Sequence, residues 1–367
     1  MPFGRNKRVD GAHDKAPRTF KLATELQMAV CGEDSWAHLV RERRWWRRTS
    51  VCERVGHCDV APLSFLPMPG DVRVAVHTPA AGFAEATAAI LVEFGDWFEA
   101  ETEFVRRCLT PESYAVDIGA NHGVFALPMA KIASSGRVWA FEPASTTADL
   151  IETSRNANEL HNLTVCRAAV SDTVGVARFT IADAGSEYNH LVLDSEEHPS
   201  QGCRSEEVQV TTLDECMRRF AWQRIDLIKI DAEGAELQIV LGGKHFFAAM
   251  SPLVMFEAEH AGKGFSLPVS AALSGLGYSM FRLVPGLGAL VRVSPDELAQ
   301  RAAEQLDLNM FACKEDCAAQ LAERGLVITD WEDASLSEHV AKGQVAFAAL
   351  PYACKYARIA VCMHVCM

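Results

Sequence analysis

The sequence contains no run of about 18 uninterrupted apolar residues, which is the length that a membrane-spanning helix requires. Its last apolar stretch is broken by Lys355 and Arg358. The chain has 12 cysteines, but it lacks a Cys-x-x-Cys pair and a leader with a continuous apolar core. We therefore predict a cytoplasmic protein with reduced thiols and no membrane span.

An excess of positive charge is also missing, since the formal net charge is −13. Generic nucleic-acid binding is therefore not expected. The charge is uneven, because residues 1–60 contain 12 Lys and Arg against 8 Asp and Glu, and residues 41–48 place basic groups around two tryptophans. Such a stretch can contact phosphates or a membrane surface. We favour a solvated helix with one aromatic face on the core.

A dinucleotide fingerprint is absent from the turn around which the chain is organised. Residues 114–118 are apolar except for Asp117 and are followed by a helix-compatible segment, which is typical of a buried parallel strand entering a tight turn. A dinucleotide site would need glycine at 119, 121 and 124, but Asn121 and Val124 occupy two of these positions. Gly119 and Gly123 have no Cβ, so the backbone can turn sharply and a ligand can approach closely. The turn predicts a nucleotide site without a pyrophosphate.

The next predicted strand ends in a carboxylate. Residues 136–143 read Gly-Arg-Val-Trp-Ala-Phe-Glu-Pro, so Glu142 is the last strand residue before a proline. In a βαβ unit an acid at this place accepts hydrogen bonds from both ribose hydroxyls of an adenosine. Taken alone, Glu142 is explained equally well as a solvated strand end.

Four motifs in order resemble those of the FkbM-type S-adenosylmethionine-dependent methyltransferases. They are Asp117-Ile-Gly119-Ala-Asn121-His-Gly123, Phe141-Glu142-Pro143, Ala169-Val-Ser-Asp172 and Lys229-Ile-Asp231-Ala-Glu233-Gly234-Ala-Glu236. The resemblance covers roughly residues 71–315. One departure is His122, where the family usually has an aliphatic residue, and it places a titratable group beside the cofactor.

The resemblance implies an α/β architecture, the Rossmann-like class I methyltransferase fold. This fold has a mostly parallel seven-stranded sheet, helices on both faces and an antiparallel last strand. We expect an N-terminal extension over 1–70 that is basic, aromatic and partly disordered or helical, an FkbM-like methyltransferase domain over 71–315, and a C-terminal extension over 316–367. Three prolines and a glycine in residues 62–70 mark the first boundary.

S-adenosyl-L-methionine is the cofactor that the resemblance implies. The residues expected to bind it are Asp117, Gly119, Ala120, Asn121, Gly123, Glu142 and Asp172. From local chemistry alone, Asp172 is explained as well by a turn-forming acid before Gly175. The resemblance favours a contact with the adenine amino group.

A lysine lies inside the predicted fourth strand. Residues 226–231 read as a central strand covered on both faces, and Lys229 is expensive to bury there without a partner. We predict that it pairs with a carboxylate. The candidates are Asp117, Glu257 and Asp231.

Acidic residues follow that strand at its carboxyl end, where open α/β sheets bind ligands. Alignment of the acceptor with the activated methyl group provides much of the rate, and a carboxylate or histidine can take the proton that an alcohol loses. The predicted catalytic residues are Asp231, Glu233 and His260, although a surface histidine at a strand end is the more common outcome for His260. Glu236 is explained by the helix dipole. The carboxylates can hold a divalent cation, but we predict no metal site.

Other acidic residues lie in a predicted helix over residues 94–109. Glu99, Glu101 and Glu103 are expected mostly to face solvent, although the resemblance leaves open that one of them closes over the cofactor.

A long polar stretch, residues 184–207, lies between two predicted strands. A loop of that length is usually functional or mobile, and we expect it to help recognise the methyl acceptor.

The resemblance implies a hydroxyl oxygen of a sugar, polyketide or related small metabolite as the methyl acceptor. The expected partner is thus a small molecule or glycan, with no oligomeric state predicted. Two alternatives stay open. One is an NAD(P)-dependent oxidoreductase, which Asn121 and Val124 disfavour, and the other is a non-catalytic methyltransferase-like binding protein.

Overall fold

A computed structural model describes residues 63–329, except for 70–71, 80–86, 88–89, 92–95, 98, 183–188, 193–202, 261–263, 266, 285–286 and 305–307. The described residues all belong to one structural unit, Val51–Ala349. The predicted N-terminal extension up to residue 62, with its tryptophan-containing stretch, and the C-terminal extension after residue 329 lie outside the described residues.

Strands and helices alternate along most of this unit. The strands are β1 (Leu63–Pro67), β2 (Arg73–His77), β3 (Tyr114–Ile118), β4 (Arg137–Phe141), β5 (Leu163–Cys166), β6 (Ala169–Val170), β7 (Gly175–Ala182), β8 (His190–Leu191), β9 (Cys203–Thr211), β10 (Leu227–Ile230), β11 (Leu253–Glu257), β12 (Glu259–His260), β13 (Gly264–Phe265), β14 (Ser279–Val284), β15 (Ala289–Arg292), β16 (Asn309–Cys313) and β17 (Val327–Ile328). The helices are α1 (Ala100–Cys108), α2 (Ala126–Ile132), α3 (Ser145–Ala157), α4 (Leu213–Arg219), α5 (Glu236–Leu241), α6 (Lys244–Met250), α7 (Leu267–Gly275), α8 (Pro295–Glu304) and α9 (Glu315–Glu323). A search of the described residues finds no helix that qualifies as a membrane span.

Nine strands form the large sheet, in the order β17-β15-β14-β16-β11-β10-β3-β4-β5. The strands from β11 to β5 are parallel to their neighbours, and β16 runs antiparallel between β11 and β14. The α/β class and the antiparallel strand are therefore confirmed. The predicted number of seven strands is wrong, because β15 forms a hairpin with β14 and β17 pairs with β15.

The core consists of two apolar layers, one on each face of the large sheet. On one face Ala115 of β3 packs in the same cluster as Phe104 of α1. On the other face Val116 of β3 packs with Ile239 of α5 and with residues of α4, α6 and α7. Successive side chains of a strand point to opposite faces, so a strand covered on both sides is apolar throughout. Lys229 is the exception within β10.

A separate four-stranded sheet has the order β6-β9-β7-β8. β7 and β9 pair antiparallel from Gly175↔Val210 to Ala182↔Cys203. Residues 203–207, which were predicted to belong to the long acceptor loop, are therefore strand. Strands with one solvent-facing side carry polar residues. The polar composition of this stretch is therefore compatible with a strand as well as with a loop.

β1 and β2 form a two-stranded antiparallel sheet ahead of α1. β2 is held to α3 by the Asn158 side chain, whose Oδ1 accepts a hydrogen bond from the N–H of Ala75 at 2.8 Å, while Nδ2 donates to the Ala75 carbonyl at 2.7 Å. Thus β1, which lies before the predicted boundary at residue 70, pairs with a strand after it. Similarly, β17 lies beyond residue 315 and joins the large sheet.

Candidate active site

The glycine turn after β3 is fixed to the end of β4. The backbone N–H groups of Gly119 and Ala120 both donate to the carbonyl of Phe141 at 3.0 Å. Gly119 and Gly123 have φ angles of 72° and 79°, and Asn121 has a φ of 48°. Glycine adopts this left-handed region without steric cost, and asparagine is among the residues that tolerate it. The three residue types therefore match the backbone that the turn requires.

Glycine at position 119 is required by the packing of the protein itself. A Cβ atom at this position would lie 1.7 Å from the carbonyl oxygen of Asp231. The space left by the missing side chain is therefore taken by the backbone at the end of β10 rather than by a ligand. This contact brings the glycine turn and the segment that carries Asp231 together.

Glu142 joins the glycine turn to the end of β4. Its Oε2 accepts a hydrogen bond from the N–H of Asn121 at 2.9 Å, and its Oε1 accepts one from the N–H of Ala144 at 2.9 Å. Glu142 is only 5% exposed. Burial raises the pKa of Glu142 to about 7, although these two hydrogen bonds act in the opposite direction. The turn and the carboxylate are thus direct neighbours.

The predicted pairing of Lys229 with a carboxylate is confirmed. Its Nζ lies 2.8 Å from Oδ2 of Asp231 and 3.7 Å from Oδ1 of Asp117, and 5.0 Å from the centre of the Phe125 ring. Burial acts to lower the pKa of Lys229, but the charges of Asp231 and Asp117 raise it above its usual value. Burial raises the pKa of Asp117, and Lys229 opposes that shift. Lys229 is thus a buried cation on β10 that lies beside Asp117 of β3.

Three carboxylates lie together at the carboxyl ends of β10 and β11. Asp231, Glu233 and Glu257 each offer an oxygen, and these oxygens lie within 4.8 Å of one another. Glu257 is the last residue of β11, the parallel neighbour of β10, so the rule that places ligands at the carboxyl ends of strands applies to it as well. From the sequence, Glu257 was predicted only as a possible partner for Lys229. Such oxygen sets suit hard divalent cations, and they can also accept a proton.

The turn after β10 has left-handed backbone at two consecutive residues. Glu233 has a φ of 51° and Gly234 a φ of 100°. The buried Glu236 closes this turn, because its Oε1 accepts hydrogen bonds from the N–H groups of Ala232 at 2.9 Å and Gly234 at 3.1 Å. Glu236 is therefore a structural residue that shapes the loop presenting Asp231 and Glu233. Strained backbone of this kind clusters at functional sites.

The remaining predicted residues lie in different surroundings. Asp172 is exposed two residues past the end of β6, and the intervening Ser171 donates its backbone N–H to the Thr211 carbonyl at 2.8 Å. His260 is the second residue of β12, and its side chain is outside the described part of the structure. The His122 side chain is completely buried.

Glu99 is one of three acids that were expected mostly to face solvent, with a position over the cofactor left open for one of them. The predicted helix over residues 94–109 begins only at Ala100, because Glu99 has extended backbone with a ψ of 132°. Its side chain is partly buried, and Oε2 accepts a hydrogen bond from Nδ2 of Asn309 at 3.1 Å. Burial and then the charge of Asp231 raise the pKa of Glu99 to about 7, while Lys229 acts to lower it.

The strand order and the position of the site define a Rossmann-like class I methyltransferase fold. Parallel strands end at a glycine turn and an acid on one side, and at an acidic loop on the other. The chain belongs to the FkbM methyltransferase family, because residues 117–313, just over half of the sequence, match the methyltransferase FkbM domain. The predicted family is thereby confirmed, and the oxidoreductase alternative loses its support.

Two named proteins are similar to this chain in sequence. The AMB antimetabolite synthetase AmbE of Pseudomonas aeruginosa is 26% identical over 255 residues, which are 61% of this chain and 11% of AmbE. The methyltransferase sdnD of Sordaria araneosa is 24% identical over 159 residues, which are 36% of this chain and 61% of sdnD. The chain therefore spans less than two thirds of the length of either relative.

Solved methyltransferase structures are similar to the chain at low identity. The methyltransferase FkbM from Methylobacillus flagellatus is 14% identical with a TM-score of 0.37, and the alignment covers 56% of this chain and 44% of that chain. A SAM-dependent O-methyltransferase from Thermotoga maritima is 11% identical with a TM-score of 0.35, covering 70% and 94%. The family assignment rests on the match over residues 117–313.

Proposed function

We propose that the protein is an S-adenosylmethionine-dependent methyltransferase that methylates a hydroxyl oxygen of a sugar, a polyketide or a related small metabolite. The observation that carries the cofactor assignment is the 2.9 Å hydrogen bond from the Asn121 N–H to Glu142 Oε2. It puts a buried carboxylate beside the glycine turn, at the end of the second parallel strand. A carboxylate there can accept hydrogen bonds from ribose hydroxyls.

The residues of the turn fit an adenosyl group. Asp117, Gly119, Ala120, Asn121, Gly123 and Glu142 would hold it, with Asp172 assigned to the adenine amino group. Asp117 is 1% exposed, and its carboxylate lies at the end of β3 beside a single buried cation, so a polar group of the cofactor is a suitable further partner. When bound, the cofactor supplies the methyl group on an activated sulfonium.

The acidic loop would serve the acceptor. A carboxylate of this loop would take the proton that the acceptor hydroxyl loses when it receives the methyl group. Asp231 is our first choice for this base, with Glu233 and His260 as the further candidates. Lys229 donates to Oδ2 of Asp231 at 2.8 Å, so Oδ1 would be the oxygen that contacts the acceptor.

Methyl transfer is tested with S-adenosylmethionine labelled in the methyl group. The protein is incubated with a panel of sugar and polyketide alcohols, each paired with the analogue in which an amine replaces the hydroxyl, and products are detected by mass spectrometry. We expect label in at least one alcohol and at a lower rate in its amine analogue. Transfer to amines alone would overturn the choice of oxygen. Binding of S-adenosylhomocysteine without transfer to any compound would favour the non-catalytic alternative.

A further inference from the structure

The edge at which the parallel strands end has two halves. The cofactor half consists of the glycine turn, residues 119–123, and Glu142 at the ends of β3 and β4. The acidic half consists of Asp231, Glu233 and Glu257 at the carboxyl ends of β10 and β11. β16 runs antiparallel to β11, and its first residue, Asn309, is the register partner of Glu257. Asn309 is therefore placed at the acidic half by the topology of the sheet.

Glu99 reaches this acidic half from a distant part of the chain. Its Oε2 accepts the 3.1 Å hydrogen bond from Asn309 Nδ2, a contact between residues 210 positions apart in sequence. The charges of Asp231 and Lys229 both act on the pKa of Glu99, and these two residues belong to the loop after β10 and to β10 itself. Glu99 lies outside residues 117–313, the range of the family match.

The segment that carries Glu99 is anchored by a buried ion pair. Arg106 of α1 donates from Nη2 to Oδ1 of Asp96 at 2.9 Å and from Nη1 to Oδ2 at 3.2 Å. The two side chains are 4% and 1% exposed. A two-point contact between a guanidinium and a carboxylate fixes orientation as well as distance. Asp96, three residues before Glu99, is therefore held to α1, and Trp97 packs against the core.

We propose that Glu99 binds the methyl acceptor at the acidic half. Its carboxylate accepts a hydrogen bond from an O–H or N–H group next to the oxygen that is methylated. This inference rests on the proposed function, since the acidic half can bind a methyl acceptor only if the cofactor half binds S-adenosylmethionine. Asn309 acts as its positioning residue. The acceptor expected from this arrangement carries a second hydrogen-bond donor beside the reacting hydroxyl, as in a diol or an amino alcohol.

Two cofactor analogues measure this role before the acceptor is known. S-adenosylhomocysteine is expected to occupy only the cofactor half. Sinefungin has in addition an ammonium group at the position of the transferred methyl, and this group would present N–H donors to the acidic half. Calorimetry would give the Kd of both compounds for the wild type and for Glu99→Gln. The glutamine oxygen can still accept from Asn309, so the variant is expected to fold, and an unchanged thermal unfolding midpoint checks this.

We expect Glu99→Gln to weaken sinefungin binding roughly 10- to 100-fold, in the range of one charged hydrogen bond, and to leave the Kd of S-adenosylhomocysteine within about twofold. Glu99→Asp, which retains the charge, should recover part of the loss, and Asn309→Ala should show a smaller loss. Glu112→Gln, at an exposed position before β3, is the matched control and should change neither Kd.

The outcomes separate this inference from the proposed function. If the wild type binds S-adenosylhomocysteine but Glu99→Gln changes both Kd values equally, or neither, the role of Glu99 is refuted and the cofactor assignment stands. If Glu99→Gln unfolds, the same comparison is made with Glu99→Asp and Asn309→Ala, and unchanged affinity ratios in both would refute it. If the wild type binds neither compound, the proposed function fails and the inference fails with it.

Discussion

Replacing Gly119 with alanine is expected to destabilise the protein by more than about 4 kcal/mol and to abolish binding of S-adenosylhomocysteine. The added Cβ would lie 1.7 Å from the carbonyl oxygen of Asp231, and φ at this position is +72°. An L side chain is therefore strained by its own backbone and also collides with an atom that belongs to a central strand end. Relief requires the glycine turn and β10 to separate, which breaks the site apart.

Urea unfolding and calorimetric titration measure the two effects of Gly119→Ala. The control is Gly175→Ala at the start of β7, where an added Cβ meets nothing within 4 Å. It is expected to leave both the free energy of unfolding and the affinity nearly unchanged. A Gly119→Ala protein with the stability and affinity of the wild type would mean that the contact between the turn and Asp231 is not as described.

Replacing Asp231 with asparagine is expected to lower kcat by about 10²- to 10⁴-fold, the range of a lost general base. The substitution keeps the shape of the side chain and removes its ability to take a proton from the acceptor. Lys229 retains Asp117 at 3.7 Å, so the buried cation is not left without a carboxylate. The Kd of S-adenosylhomocysteine should therefore change only a few-fold.

Single-turnover transfer of the labelled methyl group measures this loss once an acceptor is in hand. Asp149→Asn is the matched control, because Asp149 lies on α3 with 67% of its side chain exposed and is expected to retain full activity. If Asp231→Asn keeps the wild-type kcat, the base is another group, and Glu233→Gln is the next variant to compare.

The parts of the site that follow local rules were predictable from the sequence. A strand, a glycine turn and a strand-end acid are all encoded within about 30 residues, and parallel neighbours end at the same edge, so Gly119 and Glu142 meet there. The cost of burying a lysine predicted a carboxylate partner for Lys229, and geometry selected Asp231 and Asp117.

Other features depend on contacts that no local pattern encodes. Glu99 reaches the site through Asn309, 210 residues away, and its extended backbone starts α1 later than helix periodicity indicates. The packing of the Asp231 carbonyl against Gly119 was likewise not predicted, because it joins two segments that are distant in the sequence. β15 and β17 widen the sheet through pairings that short apolar segments do not specify on their own.

The most direct test of the account is a calorimetric titration of the wild type, Glu142→Gln and the exposed Glu207→Gln with S-adenosylhomocysteine and with NADH. If the site binds an S-adenosylmethionine cofactor, the wild type and Glu207→Gln should bind S-adenosylhomocysteine but not NADH. Glu142→Gln should lose about 1.5–3 kcal/mol of binding free energy, or roughly 10- to 100-fold in Kd, because a charged acceptor for the ribose hydroxyls is removed. Binding of NADH, or an affinity for S-adenosylhomocysteine that Glu142→Gln leaves unchanged, would contradict it.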